Sequence, residues 1–169
     1  MSSLRSWTRL AIGSALTCAL AGGCGESNPS VQDSLRADLT RVSAVSFSAT
    51  TTLPSNPPPD VQVTVAGPAA VDVAQAILAL PAMPPGVYNC PADFGVSYFL
   101  VFTGGNATGA GETVMFADLT PSGCQNGDIS SDGRSVDHFW TATSPDFWSR
   151  LAGDLGVPET DIYPYRPPS

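Results

Sequence analysis

Apolar and polar residues alternate along several stretches of the chain, and a period of two is typical of half-buried β-strands. Residues 42–52 alternate first, and residues 61–65 follow after a proline-rich run that interrupts regular strand pairing. Residues 96–103 alternate with apolar side chains on both faces, which is typical of a central strand. Residues 113–119 and 136–141 complete the set. The pattern therefore predicts about four to five strands.

Helical spacing of apolar residues replaces this alternation in two segments. Pro68 is well placed at the first position of one helix, and Pro81 ends it. Its apolar face comprises Ala70, Val73, Ala74, Ile77 and Leu78. Ser144 is the predicted N-cap of the second helix, and Gly156 is its predicted end. Phe147, Trp148, Leu151 and Leu155 supply the face that this helix is expected to bury.

The order of these elements predicts an α+β fold, with a single antiparallel sheet and two helices packed on one face. This domain is expected over residues 41–169, and it ends in a proline-rich tail. Val31, Leu35, Leu39 and Val42 also recur at helical intervals just before the first strand. A helix in this stretch is one interpretation, and a linker leading into the strand is the other.

The first 23 residues have the three zones of a secretory signal peptide. Arg5 and Arg9 supply the positive start, residues 10–20 are uncharged, and small residues follow at 21–23. The apolar run is too short for a permanent membrane helix, which needs about 20 apolar residues. We therefore expect residues 1–23 to be a signal peptide and the mature chain to leave the cytoplasm.

The end of this segment, Leu20-Ala21-Gly22-Gly23-Cys24, resembles the lipobox of bacterial lipoproteins. The resemblance implies that Cys24 carries a diacylglyceryl group and that cleavage occurs before it. Residues 24–40 would then be a polar tether, helical in part, on the non-cytoplasmic side of the membrane. Ala21 departs from the pattern, which more often has a large aliphatic residue there. A plain secretory signal that yields a secreted protein is the alternative.

The chain is acidic, with a net charge of −8 and no lysine. Removing residues 1–23 takes away two of its seven arginines and none of its fifteen acidic residues, so the mature charge is −10. Nucleic acid is excluded as a partner because phosphate binding needs clustered basic residues. Contact with a membrane is expected through the N-terminal lipid alone, because an acidic chain is not attracted to anionic lipids.

Two of the four cysteines, Cys90 and Cys124, remain in the expected domain once Cys18 leaves with the signal and Cys24 takes the lipid. Disulfides persist outside the cytoplasm, so we predict that Cys90 and Cys124 form one. Closing the loop between them stabilises the fold by about 3–4 kcal/mol, because the cross-link lowers the conformational entropy of the unfolded chain. A metal site is disfavoured because no histidine lies near either cysteine in the sequence.

Two further patterns in the sequence are candidates for chemical sites. Residues 128–133 match the first half of a calcium loop, but Phe139 occupies the position of the bidentate acid, so a surface turn is favoured. His138 is the only histidine, and a catalytic relay would need an acid such as Asp93 or Asp137 beside it. No Gly-x-Ser-x-Gly nucleophile motif is present. The sequence therefore assigns no catalytic residue, metal or cofactor.

Three functions remain open at this point. The first is a non-catalytic binding or structural domain of the cell envelope, with a protein or glycan partner. The second is an inhibitor of an exported protease that uses the proline-rich loop 81–95, because a stiff loop binds with little ordering cost. The third is a hydrolase built on His138 and nearby acids. Residues 69–156 contain a Leu-Pro helix end, the stretch Asn89-Cys90-Pro91-Ala92-Asp93-Phe94-Gly95, the pair Gly123-Cys124 and the pair Phe147-Trp148. With these motifs the region resembles a class of small exported proteins of high-GC bacteria, and that resemblance implies no activity.

Overall fold

A computed structural model describes residues 29–52, 60–84, 86–90, 95–105, 111–131 and 138–163. The expected signal peptide, Cys24 and the proline-rich tail from residue 164 onward lie outside the described residues. The helices are α1 (Pro29–Asp38), α2 (Pro68–Leu78), α3 (Pro145–Leu155) and α4 (Glu159–Ile162), with a short 3-10 helix at Leu39–Arg41. The strands are β1 (Val42–Thr51), β2 (Gln62–Ala66), β3 (Val96–Gly105), β4 (Gly111–Leu119), β5 (Asn126–Ser130) and β6 (Phe139–Ala142).

The six strands form one sheet in the order β2-β1-β3-β4-β5-β6, and every neighbouring pair is antiparallel. The predicted α+β class, the single antiparallel sheet and the Cys90–Cys124 disulfide are confirmed. β3 lies between β1 and β4, as expected of a strand that is apolar on both faces. The sheet has six strands rather than four to five, and the described chain has four helices rather than two.

One face of the sheet and the buried sides of the helices share a single core. Phe47 of β1 stacks on Tyr98 of β3, with ring centroids 5.2 Å apart. Trp148 of α3 meets the same tyrosine edge-on at 5.7 Å, and Tyr163 stacks on Trp148 at 5.9 Å. Phe47, Tyr98 and Trp148 are completely buried. Burying side chains of this size supplies much of the apolar burial that drives folding.

Local sequence signals fix the ends of α3 as predicted. Ser144 has extended backbone angles, and its hydroxyl accepts a hydrogen bond from the Phe147 N–H at 3.2 Å. This bond satisfies one of the N–H groups that a helix leaves without an internal partner. At the other end, Gly156 adopts a φ of 70°, in the left-handed region that favours glycine after a helix.

Helix α1 packs on the same core. Leu35 is only 3% exposed, and it belongs to the main apolar cluster. Gln32 Nε2 and Arg36 Nη2 donate to the Leu78 carbonyl oxygen at 2.7 and 2.9 Å. Because this carbonyl lies in the last turn of α2, the two side chains satisfy an acceptor that the helix itself leaves open. None of the helices in the described ranges is long and apolar enough to cross a membrane.

Candidate functional site

The face of the sheet turned away from the shared core, here called the open face, carries a continuous row of side chains across four strands. The pairing places Phe99 of β3 opposite Asp118 of β4, Asp118 opposite Asp128 of β5, and Asp128 opposite Trp140 of β6. Phe116 lies on the same face, with its ring 5.7 Å from that of Phe99. All of these residues are partly exposed. The open face therefore presents two carboxyl groups beside aromatic rings.

Asp128 pairs with His138, the residue just before β6. The Nδ1 atom of His138 and the Oδ1 atom of Asp128 are 2.6 Å apart, and the two side chains are 30% and 27% exposed. The imidazole also stacks with Trp140 at a centroid distance of 6.3 Å. A carboxylate on Nδ1 fixes the orientation of the ring and directs Nε2 away from the pair. This geometry is suited to proton transfer or to hydrogen bonding with a ligand.

Asp118 is the second acid of the open face, and it is partly buried. Burial raises the pKa of its carboxyl, a hydrogen bond with Ser97 lowers that pKa, and the nearby charge of Asp128 raises it. Its Oδ1 atom is buried, and it has no hydrogen-bond partner within the described residues. The row thus combines one acid held by a histidine with a second acid that favours its neutral form more than an exposed aspartate does.

The structure gives His138 a different acid from those expected. Asp93 and Asp137 lie outside the described residues, whereas Asp128 contacts the ring directly. The surface turn expected over residues 128–133 is also wrong as far as Ser130, because Asp128 and Ser130 belong to β5. Within the described ranges, no three His, Cys, Asp or Glu side chains cluster in a way that would hold a metal ion.

A second candidate site is the segment 81–90, here called the anchored loop, of which residue 85 is not described. Its first residues run along β6. The Met83 N–H donates to the Trp140 carbonyl at 2.9 Å, and the Pro81 carbonyl accepts from the Ala142 N–H at 3.0 Å and from the Thr141 hydroxyl at 2.7 Å. At its other end, Cys90 is bonded to Cys124, with their Cα atoms 4.8 Å apart. The loop is therefore fixed at both ends.

The tip of the anchored loop exposes apolar side chains. Val87 is fully exposed and Tyr88 is 43% exposed, and they are the two large apolar side chains that stand out in the described part of the chain. The Tyr88 hydroxyl donates to the Pro84 carbonyl across the tip. Burial of these side chains by a partner would be favourable, so the tip is a candidate contact surface.

The remaining predicted residues divide into two groups. Cys90 and Cys124 come together as predicted, whereas Cys24 lies outside the described residues, so its lipidation stays a prediction. The sequence offered no signal for Asp118, because its significance arises from strand pairing. Comparisons with protein-family models, with curated proteins and with solved structures found no match.

Proposed function

We propose that this chain is a cell-envelope lipoprotein: a non-catalytic binding domain held on the non-cytoplasmic side of a membrane by a lipid on Cys24. The lipobox-like segment at residues 20–24 supports the anchor. The Cys90–Cys124 disulfide supports export, because disulfides are rare in the reducing cytoplasm. If Cys24 is not acylated, the same domain is a secreted binding protein.

The anchored loop is the observation that carries the binding role. Val87 projects fully into solvent from a segment that β6 holds at one end and the disulfide holds at the other. Burying one valine side chain in a partner supplies about 1.5–3 kcal/mol. Because the loop is already ordered at its ends, less of this gain is lost to ordering on binding. An apolar tip of this kind fits a pocket on a protein.

Mass spectrometry of the mature protein from a bacterial host tests the anchor. We expect an N-terminus at Cys24 with the added mass of the acyl chains, and a mass lower than that of the reduced chain by two hydrogen atoms because of the disulfide. Cys24→Ser is the control, and it should abolish both the acyl mass and partition into the detergent phase. A mature N-terminus at another residue, without acyl mass, would overturn the anchor and leave the loop proposal intact.

Site-specific photo-crosslinking tests the loop in the same host. A photoreactive amino acid at position 87 should give an adduct with one envelope protein, and adding Tyr88→Asp should abolish that adduct. The same probe at position 113, an exposed position on β4, is the matched control. Equal adducts from positions 87 and 113 would contradict a binding role for the loop.

Inhibition of an exported protease is a second candidate, and the exposure of Val87 between two fixed ends favours it. A loop held in this way presents a side chain to a protease pocket while its ends resist displacement after cleavage. The full mature protein should lower the activity of at least one protease in a panel of secreted enzymes, and Val87→Asp should remove that effect. Thr113→Asp adds the same charge elsewhere and should leave inhibition unchanged.

A hydrolase is the third candidate, and the 2.6 Å contact of His138 with Asp128 favours it. In such an enzyme Asp128 would orient the imidazole, and Nε2 would act as general base. A panel of chromogenic esters and glycosides provides the test. Turnover that His138→Ala and Asp128→Asn abolish, and that Ser43→Ala leaves intact, would support the enzyme. If the wild-type protein turns over none of these substrates, the hydrolase candidate falls.

A further inference from the structure

The two edge strands of the sheet, β6 and β2, differ in how far other described residues cover their outer sides. At the β6 edge, Ala82 forms a bridge with Thr141, and the flanking backbone bonds of Pro81 and Met83 cover the outer side of the strand. At the opposite edge, β2 pairs with β1, and no strand or bridge in the described ranges pairs with its outer side. The outer N–H and C=O groups of β2 are therefore a template for another strand.

Residues Gln62–Ala66 lack three features that commonly protect an edge strand, namely charge, proline and a bulge. The sequence QVTVA contains no charged residue and no proline, and its pairing with β1 runs without a bulge. Charged side chains, prolines and bulges are the usual means by which proteins prevent edge strands from pairing with other chains. Within the described part of the chain, neither the backbone nor the side chains of β2 prevent pairing along its outer side.

The apolar side chains of β2 are also incompletely covered. Val63 and Val65 lie on the core side of the sheet, opposite Phe47 and Val45 in the neighbouring strand. Phe47 and Val45 are completely buried, whereas Val63 and Val65 are only partly buried. A further strand with apolar residues on this side would complete the core at this edge.

We propose that β2 pairs in antiparallel fashion with β2 of a second copy of this chain, about a two-fold axis at Thr64. Such an axis, perpendicular to the sheet, keeps the core sides of both copies together. It brings Val63 beside Val65 of the second copy, Thr64 opposite its counterpart, and Gln62 opposite Ala66 of the second copy. Cross-strand threonine pairs are favourable, and no like charges meet at the junction. The two sheets then form one continuous sheet.

The sequence of β2 favours a second copy of this chain as its pairing partner. The apolar-polar alternation of β2 is complementary to itself under this two-fold rotation, so one strand supplies both sides of the contact. The body of the chain carries a net negative charge, whereas β2 is uncharged, so pairing here avoids direct repulsion between acidic side chains. Because the β6 edge is already covered, the assembly closes at a dimer and does not extend into a filament.

Cysteine cross-linking of the full-length protein in a bacterial host tests this interface, with the wild-type chain oxidised in parallel to reveal any dimer that forms through an unacylated Cys24. Thr64→Cys places two thiols on the proposed axis and should give a disulfide-linked homodimer on a non-reducing gel after mild oxidation. Thr113→Cys, exposed on β4 and away from the edge, is the matched control. We expect at least about a tenfold greater dimer fraction for Thr64→Cys, since a 1.4 kcal/mol preference for one geometry already gives a factor of ten.

Two double variants, each combined with Thr64→Cys, distinguish specific pairing of the two β2 strands from random collision of the thiols. Gln62 and Ala66 are exposed, so Gln62→Lys with Ala66→Lys should leave the fold intact while placing two ammonium groups opposite each other across the axis. This pair should reduce the cross-linked fraction severalfold. Gln62→Lys with Ala66→Asp places opposite charges there and should restore it. Equal cross-linking by Thr64→Cys and Thr113→Cys, insensitivity to both charge pairs, or adducts with a different protein would overturn the proposal.

Discussion

At the scale of single residues, two adjacent glycines at the end of β3 have different constraints. A Cβ atom on Gly104 would lie 2.7 Å from the Arg41 carbonyl oxygen and 2.7 Å from Val114 Cγ2, whereas one on Gly105 would meet nothing within 4 Å. We predict that Gly104→Ala lowers the free energy of unfolding by about 1–3 kcal/mol, because a backbone oxygen has to move. Urea unfolding measures this change. Gly105→Ala is the matched control, and a loss as large as that of Gly104→Ala would contradict the prediction.

Asp118 links the open face to the pH dependence of stability. Burial raises the pKa of its carboxyl above the ordinary value of 3.8, so the folded state holds the proton more tightly than the unfolded chain does. The contribution of this carboxyl to the stability of the folded state is therefore fully present below its ordinary pKa. It is lost as the pH rises through the raised pKa. Asp118→Asn removes this titration. Its free energy of unfolding, relative to that of the wild type, should therefore increase as the pH rises from the ordinary pKa of 3.8 through the raised pKa.

Urea unfolding at a series of pH values measures this difference. Asp72→Asn, on the exposed side of α2, controls for the loss of one negative charge from the whole molecule. A difference between Asp118→Asn and the wild type that stays constant across the range would show that Asp118 is not held in a desolvated position.

The sequence identified His138 as a candidate because it is the only histidine, but it did not identify the acid beside it. The sequence analysis named Asp93 and Asp137 as examples of such an acid, whereas the contact is made by Asp128 on the adjoining strand. A cross-strand contact depends on the register between two strands, and one sequence does not contain that register. For the same reason, the opposition of Asp118 and Asp128 was not predictable.

At the scale of elements, the predictions succeeded where a local signal was sufficient. The ends of α3 follow from Ser144 and Gly156, and β3 follows from apolar residues on both of its faces. β5 was missed because Asn126, Gly127 and Asp128 are typical turn residues, and its strand conformation depends on pairing with β4 and β6. Helix α4 is four residues long, too short for a periodic pattern to reveal.

The Ser144 cap gives a prediction for α3. Its hydroxyl accepts from the Phe147 N–H at 3.2 Å, so Ser144→Ala should lower the free energy of unfolding by about 1 kcal/mol. Ser144→Asn keeps an acceptor at the N-cap and should retain most of the stability. Thermal and urea unfolding of both variants provide the measurement. If the asparagine variant is as destabilised as the alanine variant, the cap bond is not the cause.

At the scale of the whole molecule, the position of α1 limits the distance between the folded domain and the lipid expected on Cys24. The sequence placed a tether at residues 24–40, and α1 within that range packs on the core through Leu35 and holds the Leu78 carbonyl through Gln32 and Arg36. If Cys24 carries the lipid, residues 25–28 alone separate it from α1. The five Cα-to-Cα steps from Cys24 to Pro29 span at most about 18 Å. The domain would then lie close to the membrane surface.

This arrangement predicts that α1 unfolds together with the body. Leu35 is 3% exposed, so Leu35→Ala should lower the free energy of unfolding of the mature protein by about 2–5 kcal/mol, through lost burial and the remaining cavity. Ser34→Ala, exposed on the same helix, is the matched control and should change stability little. A second measurement is limited proteolysis, which should cleave the Leu35→Ala variant within residues 29–41 faster than the control. If both variants unfold and cleave alike, α1 is part of the tether, and the domain is free to stand farther from the membrane.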